Sequence, residues 1–311
     1  MKTSNHLLRR LTAALLAAVL ALSIALPVFA SDDGDTIYIN SVSDLLSLAR
    51  NCAYDQWSVG KTVILQKDLS LEGMLWEPIP SFSGQFKGNG HTISDLTITG
   101  QYSPAGLFGI VEEQGSIESL SVRGVVSVSD SADTTTGGIV GVNHGTLINC
   151  QFTGVVTGDS EVGGIVGRNE SEGTIDHGTA RAIVTGKSST GGIAGYNLGA
   201  ITGCTNVGSI NTEYPEASLD TDGFTAKMVD YINNKMAAAD NDATNSVTNV
   251  ATDTGGIAGR SSGMILTSVN TGTIGYEHVG YNVGGIVGRT DGLVSGCVNQ
   301  GRVLGRKDVG G

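Results

Sequence analysis

Aromatic residues make up only 5% of this 311-residue sequence, prolines number five, and the five histidines never stand four apart with a glutamate between them. Each scarcity removes a class. Without the paired-histidine spacing there is no zinc-hydrolase motif. With five prolines and no Gly-X-Y period, the 46 glycines cannot build collagen. Beyond the first thirty residues no apolar run is long enough to span a bilayer. Positive charge is also short: 18 Lys and Arg against 30 Asp and Glu give −12, or −15 once Lys2, Arg9 and Arg10 leave with the N-terminal segment. That balance disfavours nucleic acid and anionic membrane surfaces as partners. It suits the solubility of a glycine-rich exported protein.

Residues 1–30 read as a secretory signal peptide. Lys2, Arg9 and Arg10 precede the apolar run Leu11 to Leu26, and Val28-Phe29-Ala30 supplies the cleavage-proximal residues. No cysteine follows closely, as a lipid anchor would require. The expected location is therefore secreted or cell-surface, with no membrane span after cleavage.

What the chain has in quantity is placed glycine. GGIVG occurs at Gly137–Gly141, Gly163–Gly167 and Gly284–Gly288, GGIAG at Gly191–Gly195 and Gly255–Gly259, and a divergent AGLFG begins at Ala105. The starts are 32, 26, 28, 64 and 29 residues apart, the signature of stacked repeats. Gly310-Gly311 stand where another block is due, so the sequence reads as running on into a further repeat. Aligned on the blocks, Ile117, Leu147, Ile175, Ile201, Ile265 and Val294 share one column, and Val126, Val156, Val184, Ile210, Ile274 and Val303 another. Short β-branched runs between glycine turns predict an all-β fold: a parallel β-helix or β-solenoid with about three short strands per coil. Coils stacked about 4.8 Å apart would make six of them a section roughly 30 Å long. A single coil buries too little to persist alone, so stability comes from neighbours.

Leu120, Cys150, Gly178, Cys204, Ser268 and Cys297 form an inward column of modest volume, which predicts buried free thiols. Cys150 and Cys204, like Cys204 and Cys297, lie two coil steps apart, about 10 Å and too far for a disulfide. Asn206, Asn270 and Asn299 form a further column, expected to bond amide to amide along the axis.

Residues 31–104 read as an N-terminal cap with lead-in coils, and residues 105–311 as the repeats. Ser41-Val42-Ser43-Asp44 resembles a capping box, and Leu45, Leu48, Ala49 and Cys52 give the following helix one apolar face to plug the first coil. The 64-residue spacing contains an insertion, 211–254. Its Phe224, Met228, Tyr231, Ile232 and Met236 fall on one helical face and are the candidate partner-binding residues.

The glycine blocks, each followed by G-x-I and a small residue, resemble the GLUG-motif repeats of bacterial surface proteins. Lys67-Asp68-Leu69-Ser70-Leu71, Trp76-Glu77-Pro78-Ile79 and Phe86-Lys87-Gly88-Asn89-Gly90-His91-Thr92-Ile93 are similar to the lead-in of such repeats. The resemblance covers about residues 37–311. It implies an exported β-helical module, also found beside the catalytic domain of immunoglobulin A-cleaving metallopeptidases, whose HExxH motif this chain lacks.

The leading expectation is a non-enzymatic scaffold for cell-surface adhesion or ligand presentation, needing no cofactor, catalytic residue or metal. Its partner would be a host, matrix or envelope protein or glycan. Two alternatives stand beside it: an accessory region of a larger surface peptidase, and a polysaccharide lyase or hydrolase using turn carboxylates among Asp130, Asp133, Asp159, Glu161, Glu170 and Glu172. Asp220-Thr221-Asp222-Gly223 and Asp32-Asp33-Gly34-Asp35 are acidic turns, but neither matches a calcium loop.

Overall fold

The computed structural model describes residues 35–54, 56–128, 134–212, 252–277 and 280–311. Thr36–Gly311 is a unit of its own, nearly all β and wound as a parallel β-solenoid of about eight turns. Where about three strands per coil are expected, each central coil contributes four. The glycine block is itself a corner, with a short strand on either side of it. In one coil, Thr135–Gly137 precedes the corner, Val140–Asn143 follows it, and Thr146–Ile148 and Gln151–Thr157 complete the turn. Stacked coil on coil, these positions form sheets I, II, III and IV.

Register is held column by column. In sheet I, Gly137 pairs with Gly163, then Gly191, Gly255, Gly284 and Gly310 in succession. In sheet III, Ile37, Val63, Phe86, Ile117, Leu147, Ile175, Ile201, Ile265 and Val294 form one inward column. Side chains of like shape thus lie one coil step apart, which lets one core continue along the axis.

The paired glycines have a packing reason. At the second glycine of the block, a Cβ on Gly138 would overlap the Phe152 ring, and one on Gly192 or Gly256 the side chain of Asn206 or Asn270. The corner is thin there so that the inward residue of sheet IV can fill it.

The N-terminal end is closed as the sequence predicts. Helix α1, Val42–Asn51, is capped by Ser41, whose Oγ accepts from the Asp44 N–H at 3.2 Å, while Asp44 Oδ2 accepts from the Asn40 N–H at 2.9 Å. Leu45, Leu48 and Cys52 are buried. Beneath them Phe82, Phe86 and Phe108 pack with centroids 5.4–6.3 Å apart, and Trp76 Nε1 donates to the Leu107 carbonyl at 3.1 Å. The few aromatics of the chain are therefore concentrated where the solenoid begins.

All four cysteines are free. Burial raises the thiol pKa of Cys150 and of Cys204 to about 12 and that of Cys52 to about 11, so these side chains act as small apolar groups.

One corner stores strain. The residue before the cysteine column is left-handed in every repeat: Ser119, Asn149, His177, Gly203, Thr267 and Gly296 have φ between 47° and 64°. Ser, Asn, His and Gly tolerate that region better than the β-branched Thr267 does. Thr267→Asn, which installs the residue found at Asn149, should stabilise the protein by roughly 0.5–1 kcal/mol. Thermal melting checks it, and an unchanged or lower midpoint contradicts the assignment of strain.

Candidate functional site

The insertion residues Phe224, Met228, Tyr231, Ile232 and Met236 lie outside the described residues, as do Asp130, Asp133, His278 and the acidic turn at 220–223. The two ends of the insertion are described. Asn211 donates from Nδ2 to Thr254 Oγ1 at 3.0 Å, and its Oδ1 accepts from the Gly186 N–H at 2.9 Å. Both ends are buried. Sheet I continues across the gap, with Ser188 paired to Thr252 and Gly191 to Gly255. The insertion therefore leaves and returns at a single corner without disturbing the coil.

Of the four proposed carboxylates that are described, the structure brings two onto one arginine and gives the other two different partners. Arg168, the residue immediately after a glycine block, holds Glu161 at 2.9 Å through Nη1 and Glu170 at 2.7 Å through Nε. The corner is tight enough for Glu161 on sheet I to meet Arg168 on sheet II. Asp159 instead pairs with Lys187 Nζ at 2.6 Å, and Glu172 accepts from Ser171. Burial raises the Glu161 pKa, with Arg168 and the Thr135 hydroxyl pulling the other way. Both carboxylates thus share one guanidinium, an arrangement that holds the corner shut and spends the acceptors a hydrolase would need for a proton or a water.

Removing the cation exposes the cost. Arg168→Met should lower stability at neutral pH by about 1–3 kcal/mol, since Glu161 and Glu170 are left half-buried against each other. Burial already raises the Glu161 pKa, and without the opposing cation the folded-state value rises further above the unfolded one, so the native state binds more protons. The deficit shrinks as pH falls toward the ordinary carboxylate range and is largest above it. Denaturant midpoints of the variant and the parent chain at pH 4 and pH 7 check this, and a deficit independent of pH contradicts it.

A stripe not singled out from sequence continues from Arg168. The outward residues of sheet II stack in register as Val142, Arg168, Tyr196, Arg260 and Arg289. The Tyr196 ring lies between Arg168 and Arg260, each 5.2 Å from its centroid, and its hydroxyl is 3.3 Å from Ser262 Oγ. Asp291 has a lowered pKa, through its bond to Ser262 and then the fields of Arg260 and Arg289. Both ring faces of Tyr196 are occupied by guanidinium groups, a cation–π sandwich of Arg168, Tyr196 and Arg260 within the stripe. Its signal in sequence was the residue directly after each block, a column that varies between apolar, aromatic and basic.

His91 lies 3.1 Å from Asp68, and His177 2.9 Å from Asp176. Among the described residues no cluster of three His, Cys, Asp or Glu is placed to hold a metal ion. Among the same residues no helix is long and apolar enough to cross a membrane.

No protein-family model matches the chain. Halomucin from Haloquadratum walsbyi is 30% identical over 155 residues, covering 46% of this chain. A protein described as a Gly-rich membrane protein from Evansella cellulosilytica is 29% identical over 137 residues, 32% of this chain. The matches span only 2% and 16% of those two relatives. Among solved structures, a Bacteroides ovatus protein described as an immunoglobulin A1 protease superposes with a TM-score of 0.55 at 19% identity, over 84% of this chain and 74% of that one. That likeness establishes a shared fold.

Proposed function

We propose that this chain is an exported, non-enzymatic β-solenoid scaffold acting at the cell surface in adhesion or ligand presentation. The observation that carries the reading is the unbroken register of Gly191 on Gly255 across a 64-residue separation, with Asn211 and Thr254 clasped where the insertion departs. A coil that accepts so long an insertion without slipping serves as a frame that displays it. Similarity to halomucin and to a Gly-rich membrane protein supports a place at the envelope. The signal peptide at 1–30 would supply the export route, and the partner would be a host, matrix or envelope protein or glycan.

The test is adhesion of the mature chain to immobilised matrix proteins, glycans and envelope fractions, with and without residues 213–251. The expected result is binding that falls on deletion while the melting temperature stays the same. Binding to nothing would sink the adhesive reading, and unchanged binding would remove the insertion from it.

A second reading, a non-catalytic region of a larger surface peptidase, is favoured by the fold shared with the Bacteroides ovatus protein. A polysaccharide-active enzyme is the weaker alternative because Arg168 engages Glu161 and Glu170. Glycan turnover abolished by Asp159→Asn or Glu161→Gln would promote it.

A further inference from the structure

The outer face of sheet IV differs from the rest of this acidic molecule. From its third strand onward, the outward positions of Ser121–Val128 are Ser121, Arg123, Val125 and Ser127. Those of Gln151–Thr157 are Gln151, Thr153, Val155 and Thr157, and those of Thr179–Thr185 are Thr179, Arg181, Ile183 and Thr185. No carboxylate stands among them, in a chain with 30 Asp and Glu. Acids border the face but are held by other partners. Asp95, at the bulge opposite Arg123, is bonded to Ser70 and Ser94. Asp68, whose pKa is lowered by bonds from Thr92 and His91 and more weakly by Arg123, is paired with His91. Asp159 and Asp176, just beyond the strand ends, are paired with Lys187 and His177. Arg123 and Arg181 are both exposed and flank Thr153 in one column. Among the described residues neither has an ion pair, unlike Arg168 and Lys187. Beside them Val125 and Ile183 are 39% and 44% exposed, with Val155 stacked between.

We infer that this face binds an extended anionic polysaccharide, one carrying carboxylate or sulfate groups, which lies along the solenoid axis with its charges on Arg123 and Arg181. The proposal rests on the adhesive-scaffold reading and names its ligand class. Two coil steps place the arginine backbones about 10 Å apart, a spacing suited to acidic groups on alternate sugars of an extended chain. Guanidinium groups bind carboxylate and sulfate oxygens in pairs. The β-branched methyls of Val125, Val155 and Ile183 offer a flat apolar strip to pyranose C–H faces, and Thr153, Thr157 and Thr185 offer hydroxyls. The bordering acids are engaged by Ser70, Ser94, His91, Lys187 and His177, and the more distant ones are screened beyond about 10 Å at 0.1 M salt, which leaves the two arginines to take the ligand's charges. Two other occupants fit less well. A second copy stacked face to face would oppose arginine to arginine, and nucleic acid would find no aromatic ring on this face on which to stack a base.

The experiment is calorimetric titration of the full chain with polygalacturonate and with dextran sulfate, against neutral dextran and single-stranded DNA. The expected result is binding to one or both acidic polysaccharides and none to dextran, with a log–log salt slope of about −2 for two ionic contacts. Arg123→Gln with Arg181→Gln should weaken it roughly 5- to 30-fold at unchanged melting temperature. Lys87→Gln with Lys307→Gln, equal in charge but on other sheets, should leave it intact. No binding to either acidic polymer, equal binding by the Arg123→Gln/Arg181→Gln chain, or equally tight DNA binding would overturn the inference. Adhesion to matrix or envelope that ignores the two arginines would leave the scaffold reading standing without it. Polymer binding without adhesion to any surface would do the reverse.

Discussion

Gly195→Ala should destabilise the solenoid by roughly 3 kcal/mol or more, whereas the same change at Gly109 should cost about 1 kcal/mol or less. The two glycines share a column of sheet II, one residue after the position at which Phe108, Val140, Val166 and Ala194 pair. Neither has a left-handed φ, so the contrast is one of space alone. A Cβ on Gly195 would overlap the backbone at Glu161 and Val162 and lie 2.7 Å from the Gly167 carbonyl oxygen. All of that is main chain locked in ladder bonds and unable to yield. A Cβ on Gly109 comes close to the Pro80 and Ile79 carbonyls, at 3.2 and 3.3 Å, with the Pro104 carbonyl at an ordinary 3.7 Å, and a shift of a few tenths of an ångström relieves it. Thermal melting should show a midpoint roughly 6–12 °C lower for Gly195→Ala. Equal losses from both variants would mean that helix-like propensity or unfolded-state entropy, and not the tight corner, governs these glycines.

The same contrast explains what could be read in advance. Columns of one chemical type were legible because stacking repeats them: Ile117 to Val294 and Val126 to Val303 face inward, and Asn206, Asn270 and Asn299 bond amide to amide along the axis at 2.8 Å, as expected. The capping helix was legible because Ser41, Asp44 and the Leu45–Leu48–Cys52 stripe are local signals. The fourth strand of each coil was not, because a glycine corner leaves no polar loop between Gly137 and Val140. The left-handed corner was hidden too, since Ser119, Asn149, His177, Gly203, Thr267 and Gly296 share a backbone conformation and no side-chain property. At the candidate sites, the pairing of Glu161 with Glu170 through Arg168 required knowing that outward residues on either side of the corner meet. The stripe through Tyr196 and the arginine pair on sheet IV lie in variable outward columns, where variation reads as simple exposure. Their meaning depends on which side chains end up adjacent one coil away.

A second buried amide ladder, missed in the sequence because Ser261 and Thr290 end it, supplies the other large expected effect. Asn143 donates from Nδ2 to Asn169 Oδ1 at 2.8 Å, Asn169 in turn to Asn197 Oδ1 at 2.8 Å, and Asn197 to Ser261 Oγ at 3.0 Å. All four are fully buried. Asn169→Ala should cost about 2–4 kcal/mol, because the Asn197 acceptor and the Gly173 carbonyl, 3.0 Å from Asn169 Nδ2, are left without that donor away from water. Asn169→Asp keeps the shape and makes the argument sharper. A carboxylate there still accepts from Asn143 but faces the Asn197 oxygen with no proton to give, whereas the neutral acid can donate. Burial and that oxygen both raise the folded-state pKa above the unfolded value, so the native state holds the proton more tightly. Stability of the Asp variant is then greatest below the unfolded carboxylate pKa of about 4 and falls as pH rises toward the elevated folded value. Denaturant midpoints of Asn169→Asp should therefore improve relative to Asn169→Ala on going from pH 7 to pH 4. A variant whose deficit is the same at both pH values would show that the ladder carries no directional hydrogen bonding and that these asparagines serve only as spacers.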